Sequence, residues 1–388
     1  MKIVLLENTN SRKAGGLYSS VRNLGLQLYN TFNEDVTIVS CDDEYSERDK
    51  YVYANLPLSI YKVTRLPILS RFGYSPNLYS ILEEIDPDII DIQGSWLYYS
   101  YAAYKYKRRH PQTKIVITPR GMLDRMKKSE MSLPKKIAYS LFEKKNFAGA
   151  DAFDALCPQE VEGFKEFGIT CPIALIPNGY NIPERIEKIP HNGKRLLFIS
   201  RIVPQKGVKQ LIEAIHLLDQ DEAMSFSEWE FRIGGWGPDN YMSELKNLVK
   251  VYNLENKVIF LGQVYGDNKD IELRSADAFI LPSFSEGLPM AILEAISYRL
   301  PVIMTDGCNL PDIFEANGAI KVTTEPREIA AGIVKLTQMS LHDIDNMCNN
   351  GLEVVKEKYQ WNIIAKNHVE LYQWLLDRKS EPSFITRI

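Results

Sequence analysis

Two α/β domains, each built on a parallel β-sheet, are predicted by three features of this 388-residue sequence. Short apolar runs alternate with amphipathic helical patterns along the chain, which is typical of parallel strands joined by helical crossovers. The length suits two domains of about 150–200 residues better than a single core. A polar segment with prolines between 180 and 194 separates two sets of apolar runs and marks the domain boundary.

The first half contains six apolar runs that predict strands. They are MKIVLL, DVTIVSC, DIIDIQG, KIVITPRG, AFDALCP and IALIPNG, with helical patterns near 17–29, 75–85, 97–109, 133–148 and 158–167. Ligands bind at the carboxyl ends of parallel strands. The polar residues that follow the runs are therefore candidates, above all Gly15, Gly16, Gln93 and Arg120. For Arg120 the alternative is a surface salt bridge, and for the glycines a flexible turn.

The second half repeats this organisation and predicts a second Rossmann-like domain. Its strand runs are RLLFIS, WEFRIGG, KVIFLGQV, AFILPS, PVIMTD and GAIKV, and its helical patterns lie near 207–218, 240–252, 269–275, 289–298 and 326–338. A last helical pattern starts at Trp361. The predicted domains are 1–182 and 193–360, with 361–388 as a C-terminal helical segment.

The stretch SFSEGLPMAILEAISYRLP places Glu286 in a glycine-containing loop and Glu294 in the apolar helix that follows. A helix N-terminus attracts phosphate through its unpaired N–H groups and partial positive charge. At about 1.5 Å per residue the two glutamates are about 12 Å apart, roughly the length of a diphosphate carrying a ribose. The alternative is two unrelated glutamates, one capping a loop and one solvated.

Arg201 and Lys206 follow the first strand of the second half, and Lys206 lies just before a helix. A lysine at a helix N-terminus is unfavourable unless an anion binds there too, so the pair is predicted to neutralise a diphosphate. The alternative is two solvated charges. In WEFRIGGWGPD, Gly235 and Gly237 would allow close backbone approach, although the G-x-G-x-x-G fingerprint is incomplete.

These motifs resemble, in order and almost end to end, those of family 4 retaining glycosyltransferases of the GT-B fold. The E-x7-E signature corresponds to Glu286 and Glu294, and the R-x4-K pattern to Arg201 and Lys206. The resemblance implies two Rossmann-like parallel-sheet domains that face each other across a cleft, with a C-terminal helix that crosses back to the first domain. The first domain would bind the acceptor and the second the nucleotide-sugar donor.

The resemblance also implies roles for single residues. Glu286 would contact the donor sugar, Glu294 the nucleotide ribose, and Arg201 and Lys206 the diphosphate. The other implied donor-binding residues are Gly15, Gly16, Arg120, Gly235, Gly237, Val264, Gly287 and Leu288.

Gln93 departs from the family pattern. The family has H-x-H at this strand end, and its second histidine faces the reacting sugar. Asp91 and Gln93 occupy these positions here. Gln93 can bond a sugar hydroxyl but cannot carry a proton as histidine does. The alternative is that it only caps the strand.

The function implied is retaining, metal-independent transfer of a sugar from a nucleotide-diphosphate sugar to a glycan or lipid-linked acceptor, in bacterial surface polysaccharide biosynthesis. The alternatives are a non-catalytic sugar-nucleotide-binding homologue and a sugar-nucleotide epimerase of the same fold. A nicotinamide dehydrogenase is disfavoured by the incomplete glycine fingerprint. No cofactor or metal is expected, because Asp86-Pro87-Asp88 spells D-x-D but precedes a strand instead of following one.

Composition restricts the partners and the compartment. The formal net charge is −4, which argues against nucleic acid as a partner. Five scattered cysteines without a C-x-x-C motif favour a reducing compartment and no zinc site. The apolar run at the N-terminus is too short for a signal peptide, and no run of 18 apolar residues predicts a spanning helix. A cytoplasmic protein is expected.

Basic residues concentrate between Lys105 and Lys145. This stretch holds thirteen lysines and arginines against three acidic residues, in a chain whose net charge is −4. Within it, Ile137, Leu141 and Phe142 are spaced along one helical pattern between paired lysines, a composition typical of a helix on an anionic lipid surface. The prediction is peripheral binding to the inner face of the membrane. The alternative is a solvated helix whose apolar residues pack inward.

Overall fold

The computed structural model of the chain describes residues 1–14, 16–123, 131–220, 226 and 228–387. They form two compact units. The first domain comprises Met1–Gly179 together with Trp361–Ile388, and the second comprises Tyr180–Gln360.

The strands correspond closely to the apolar runs of the sequence. Those of the first domain are β1 Lys2–Glu7, β2 Asp35–Cys41, β3 Leu58–Tyr61, β4 Ile89–Gln93, β5 Lys114–Thr118, β6 Ala152–Ala155 and β7 Ile173–Leu175; those of the second are β8 Lys194–Ile199, β9 Trp229–Gly234, β10 Val258–Gly262, β11 Ala278–Leu281, β12 Val302–Thr305 and β13 Ile320–Val322; β14 Ile385–Thr386 returns to the first domain.

Helices connect most of the strands. In the first domain they are α1 Gly16–Asn30, α2 Ser46–Asp49, α3 Pro67–Arg71, α4 Leu78–Ile85, α5 Tyr98–Arg109, α6 Leu133–Ala138, α7 Lys144–Gly149, α8 Pro158–Glu166 and the C-terminal α16 Trp361–Leu375; in the second they are α9 Val208–Asp219, α10 Asp239–Val251, α11 Gly266–Ser275, α12 Met290–Ser297, α13 Pro311–Glu315, α14 Pro326–Gln338 and α15 Leu341–Lys358. A π-helical turn, Tyr139–Glu143, joins α6 to α7.

Both sheets have the doubly wound order of a Rossmann domain. The first runs β14-β7-β6-β5-β4-β1-β2-β3 and the second β10-β9-β8-β11-β12-β13. All pairs are parallel except β14 with β7. The strand order reverses beside β1 in the first sheet and beside β8 in the second, and ligands bind at the carboxyl ends of the strands at such points. The predicted α/β class with two parallel-sheet domains is confirmed.

The strands are apolar on both faces because helices cover both sides of each sheet. Helix α16 covers part of the first sheet, although it comes after the whole second domain. Its Trp361 is buried in one cluster with Ile3 and Leu5 of β1. A Cβ at Gly179 would lie 2.5 Å from the indole of Trp361, so this helix is packed closely against the end of the first domain.

Buried hydrogen bonds fix α16 to the strand ends. The Tyr372 hydroxyl donates to Asp91 Oδ2 at 2.7 Å, and Thr118 Oγ1 donates to Asp91 Oδ1 at 2.9 Å. His368 lies 3.9 Å from Asp154. Burial lowers the pKa of His368 to about 3, so this imidazole is neutral at pH 7 and these contacts are not ion pairs.

The Asp86-Pro87-Asp88 motif ends one element and starts the next. Asp86 caps α4 with a left-handed backbone, and Asp88 Oδ2 accepts the backbone N–H of Lys2 at 2.9 Å. Both residues therefore have structural contacts at the amino end of the sheet, away from the carboxyl ends of the strands.

Candidate functional site

The junction after β8 lies directly against the junction after β11. Lys206 ends a 3-10 turn and Gly207, with φ of 72°, leads into α9. A Cβ on Gly207 would lie 2.1 Å from the carbonyl oxygen of Pro282, so only glycine fits here. The backbone N–H of Phe284 donates to the carbonyl of Gln205 at 2.8 Å. Two loops that are far apart in sequence thus form one surface at the switch point of the second sheet.

Lys206 and Glu286 form an ion pair in this surface. The Lys206 ammonium donates to Glu286 Oε2, and the Ser283 hydroxyl donates to Glu286 Oε1 at 2.6 Å. The two charged side chains are only 10% and 8% exposed. A buried ion pair is retained only when its geometry and further hydrogen bonds offset the desolvation of both charges, and Ser283 supplies one of those bonds.

The backbone around Glu286 is held by residues that sequence reasoning missed. The N–H of Glu286 donates to the carbonyl of Gly307 at 2.7 Å. Asn309 Nδ2 donates to the carbonyls of Glu286 and Gly287. Since Asn309 follows β12, the third loop at this end of the sheet supports the loop with the candidate carboxylate. An asparagine after a strand is too common for the sequence to have signalled this.

The residues after Glu286 differ in how accessible they are to a ligand. A Cβ at Gly287 would meet no atom within 4 Å, so the backbone there is accessible. Leu288 packs against the core. Glu294, in α12, pairs with Lys269 of α11, and its side chain is 15% exposed. Lys269 is a partner for Glu294 that the sequence pattern did not reveal.

Arg201 is set apart from the buried pair. Its side chain is exposed, and the structure shows no side-chain hydrogen bond or ion pair for it among the residues it describes. The structure therefore places Lys206 next to Glu286, whereas Arg201 is exposed to solvent in the loop after the same strand.

Gly235 and Gly237 make contacts that differ from those expected. A Cβ on either residue would lie 1.8 Å from a carbonyl oxygen of the loop after β8, Ser200 for Gly235 and Ile202 for Gly237. These glycines allow the chain's own backbone segments to approach each other. Val264 is buried in the core of the second domain.

Two exposed aromatic side chains lie beside these glycines. Trp236 is 48% and Tyr265 62% exposed. The indole N–H of Trp236 donates to the Tyr265 hydroxyl at 3.0 Å. These exposed rings after β9 and β10 offer apolar faces on which a base can stack.

The first domain brings Gln93 and Arg120 together. Arg120 Nε donates to Gln93 Oε1 at 2.8 Å, and Arg120 Nη1 donates to Asn178 Oδ1. Gln93 is fully buried. Of the predicted glycines, Gly15 lies outside the described residues. Gly16 begins α1, and a Cβ there would meet nothing within 4 Å.

Three buried carboxyl groups surround these residues at the ends of the strands. They belong to Glu7, Asp91 and Asp154, and burial raises the pKa of each, against the opposing effect of the Arg120 charge. Among the described residues no cluster of three or more metal-ligating side chains is found.

The amino-acid sequence matches two family models that together span most of the chain. "Glycosyltransferase Family 4" matches residues 14–183, and "Glycosyl transferases group 1" matches residues 182–352. An uncharacterized glycosyltransferase of Methanocaldococcus jannaschii, MJ1607, is 32% identical over 189 residues, which are 48% of this chain and 46% of that protein. The putative colanic acid biosynthesis glycosyltransferase WcaL of Escherichia coli is 25% identical over 227 residues, 56% of this chain and 52% of WcaL. The chain thus spans about half the length of these relatives.

Solved structures with low identity share the fold. Anabaena Alr3699/HepE in complex with UDP has a TM-score of 0.73 at 16% identity, covering 96% of this chain and 100% of that one. A glycosyltransferase from Rickettsia africae has a TM-score of 0.74 at 15% identity, covering 97% and 99%. The predicted family is confirmed: the chain belongs to the group 1 and family 4 glycosyltransferases of the GT-B fold.

Proposed function

We propose that the chain is a retaining glycosyltransferase that moves a sugar from a nucleotide-diphosphate sugar to a glycan or lipid-linked acceptor in surface polysaccharide biosynthesis, without a metal ion. The observation that carries the proposal is the buried Lys206–Glu286 pair at the switch point of the second sheet. A cation and a carboxylate fixed side by side suit a ligand that has both phosphate and sugar hydroxyl groups.

The bond changes follow from this arrangement. The bond between the anomeric carbon and the diphosphate oxygen breaks, and the leaving diphosphate takes the electron pair. The acceptor oxygen bonds to the anomeric carbon on the same face, and its proton passes to a phosphate oxygen. Lys206 has three N–H donors and uses one for Glu286, so the others stabilise the leaving group. Arg201, exposed after the same strand, adds a second cation.

Glu286 positions the donor sugar. Its carboxylate accepts hydrogen bonds and is held in place by Lys206 and Ser283. Because Glu286 is paired with a cation, we assign it a hydrogen-bonding role. We attribute retention of the anomeric configuration to attack by the acceptor from the face that the diphosphate leaves. Glu294 accepts from the ribose hydroxyls, and the Trp236–Tyr265 surface takes the base.

A thermal-shift screen with UDP, GDP, ADP and their sugars tests this function. We expect one nucleotide at 100 times its Kd to raise the melting temperature by about 5–10 °C, because binding then adds about 2.7 kcal/mol to the stability. UDP is tested first because the HepE structure contains it. No shift with any nucleotide would contradict the proposal. Incubation with the donor alone separates transfer, which gives only slow hydrolysis, from epimerisation, which gives a new sugar nucleotide.

We also propose that the first domain binds an anionic membrane surface. No helix in the described part of the chain is long and apolar enough to cross a bilayer. The helical segment from α6 to α7 nevertheless exposes one apolar stripe, in which Leu133 is 70%, Ile137 42% and Leu141 65% exposed. Their spacing of four residues places them on one face. The alternative that these residues pack inward is wrong for Ile137 and Leu141.

Lysines flank this stripe. Lys136, Lys144 and Lys145 are exposed, whereas Lys135 lies over the ring of Trp96 at 5.3 Å. Phe142, which was expected on the same face, is half-buried and contacts Tyr101, with ring centroids 5.8 Å apart. Lys127 and Lys128 lie outside the described residues. An apolar stripe between lysines complements an anionic bilayer, at about 1 kcal/mol per basic residue near the surface.

Vesicle sedimentation tests the membrane proposal. We expect binding to phosphatidylglycerol vesicles at low salt and little binding to neutral vesicles. Binding should fall when Leu133, Ile137 and Leu141 become serine, and also when Lys136, Lys144 and Lys145 become glutamate. The matched control replaces Lys246 and Lys250 of α10, which are exposed on the second domain, by glutamate. Equal loss in this control, or no lipid preference in the wild type, would contradict the proposal.

A further inference from the structure

We propose that Arg120 forms an anion-binding subsite in the first domain that takes a phosphate or carboxylate group of the acceptor. This inference rests on the proposed function and adds to it the chemical class of the acceptor; it assigns Arg120 to the acceptor, whereas the family resemblance implies a contact with the donor. Four observations carry it: the backbone conformation of Arg120, the neutral partners of its side chain, the absence of an ion pair with a carboxylate, and its place in the sheet.

The backbone places Arg120 at the tip of a strained turn. The N–H of Met122 donates to the carbonyl of Pro119 at 3.1 Å. The two central residues of this turn, Arg120 and Gly121, have φ of 55° and 79°. Two positive φ values define a type I′ turn, in which asparagine and glycine are the usual residues. An arginine that keeps a left-handed conformation costs about 1–2 kcal/mol, and such strain is found mainly at functional sites.

The side chain is fixed by groups that carry no charge. Arg120 Nε and Nη2 both donate to Gln93 Oε1, and Nη1 donates to Asn178 Oδ1. Both acceptors are amide oxygens. A guanidinium has five N–H groups, so two remain after these three bonds. The planar fork is therefore oriented in advance and still has donors for a further acceptor.

The guanidinium has no carboxylate within ion-pair distance in the part of the chain that the structure describes. Its hydrogen-bond partners there are the two amides, and it forms no ion pair with a carboxylate. Glu7, Asp91 and Asp154 are fully buried nearby. Burial raises the pKa of each of these groups, whereas the Arg120 charge lowers it. None of the three accepts a hydrogen bond from Arg120, so the two remaining N–H groups of the guanidinium have no anionic acceptor among the described residues.

The position in the sheet is that of a ligand site. Arg120 follows β5, whose neighbour β4 ends at Gln93 and pairs with β1 at the point where the strand order reverses. Arg120 is partly exposed, and the Cβ position of Gly16 after β1 is open. The second domain has its own cations, Lys206 and Arg201, for the donor diphosphate. An arginine on the domain that takes the acceptor is free to bind an acceptor oxyanion, and a bidentate fork matches phosphate and carboxylate equally well.

The test measures binding of three sugars to protein saturated with UDP, by calorimetry at low salt. The probes are α-D-glucose 1-phosphate, D-glucuronate and D-glucose. We expect wild type to bind at least one anionic probe at least 10-fold more tightly than glucose, and the better of the two identifies the oxyanion. Arg120→Gln should abolish the preference and Arg120→Lys should keep part of it. UDP affinity should change less than 2-fold in both variants.

Two further variants keep the result interpretable. Arg120→Gly removes the cation at a position where glycine adopts the backbone without strain, so loss of preference there does not report misfolding. Arg108→Gln removes an exposed cation from the same domain and should behave as wild type. Preference retained in Arg120→Gln would overturn the proposal. So would a 10-fold loss of UDP affinity, which would assign Arg120 to the donor. If the wild type binds none of the nucleotides in the thermal-shift screen, the proposed function is contradicted instead; if it binds GDP or ADP in place of UDP, that nucleotide saturates the protein in this test.

Discussion

Replacing Glu286 by glutamine is expected to lower the rate of sugar transfer at least about 100-fold, the size of effect that displacement of a reacting group by about 1 Å produces. The carboxylate accepts from Lys206 and Ser283, and we assign it to holding the donor sugar. Glutamine keeps the shape and one acceptor oxygen but loses the charge, and charge-assisted hydrogen bonds are about twice as strong as neutral ones. The sugar would then be held too loosely for the same-face attack.

Glutamine is chosen because truncation would confound the result. Glu286→Ala would leave the buried Lys206 ammonium with neither a counter-charge nor an acceptor, at a cost of about 3–5 kcal/mol in stability, whereas glutamine keeps an acceptor oxygen for it. Turnover at saturating donor and UDP affinity by calorimetry are the two measurements. In Glu286→Gln the turnover should fall and UDP affinity should stay within a few-fold of wild type.

Glu294→Gln is the matched control for this experiment. It removes the same charge eight residues later, in α12, where Glu294 pairs with Lys269. We expect it to weaken UDP about 10-fold through the lost ribose contact and to leave turnover at saturating donor near the wild-type value. Equal effects of the two variants on UDP affinity would show that the glutamates do not divide the donor between them.

The sequence was sufficient to predict the strands of both sheets except β3 and β14, because the predicted strands are short and apolar on both faces. DVTIVSC corresponds to β2 over its full length. For most other runs, only one to four residues at the ends of the predicted run lie outside the observed strand. Most of those residues are polar, proline or glycine, and most lie in the loops at the carboxyl ends of the strands. Helix α14 also has the predicted bounds, Pro326–Gln338, because a proline at its start and a strong apolar stripe define it.

Elements without an apolar run were missed. Helix α15, Leu341–Lys358, has 18 residues and is rich in aspartate and asparagine, with a glycine inside it. These residues have low helix propensity, so only tertiary packing of its few apolar side chains makes this segment helical. Strand β3 has four residues, and β14 has two and pairs antiparallel at the sheet edge. Nothing in such short segments distinguishes a strand from a loop.

For the candidate site, the sequence indicated residue types but not their partners. Lys206 and Glu286 were predicted separately, and the contact between them depends on Gly207 passing close to Pro282. The contact of Arg120 with Gln93 likewise joins two strand ends. For Gly235 and Gly237 the sequence did not reveal what approaches the backbone. A glycine after a strand looks the same in sequence whether a ligand or the chain's own backbone lies close to it.

Glu143→Gln is expected to have a more favourable effect on the free energy of unfolding of the first domain at pH 8 than at pH 4. The difference between the two effects should be about 3 kcal/mol. Glu143 lies in the π-helical turn and is fully buried. Its Oε1 accepts the backbone N–H of Trp96, and its Oε2 accepts Asn146 Nδ2 at 3.0 Å. Burial raises its pKa from 4.5 to about 7, against the effect of these hydrogen bonds.

The sign follows from proton binding. Between pH 4.5 and 7 the unfolded chain loses the Glu143 proton and the folded chain keeps it, so the stability of the wild type falls as pH rises. Each pH unit in this window is worth about 1.4 kcal/mol. Glutamine has no titratable proton and resembles the protonated acid. The stability of the variant therefore lacks the part of the pH dependence that is due to Glu143.

Urea unfolding of wild type and variant across this pH range checks the prediction. Glu7, Asp91 and Asp154 also have raised pKa values and contribute to the pH dependence of both proteins. The difference between the two curves cancels them, because the variant changes only Glu143. An infrared difference spectrum at pH 6, wild type minus variant, should show the carbonyl band of one protonated carboxylic acid. If the two stability curves run parallel and this band is absent, Glu143 is ionised when folded, and the bonds to Trp96 and Asn146 outweigh its burial.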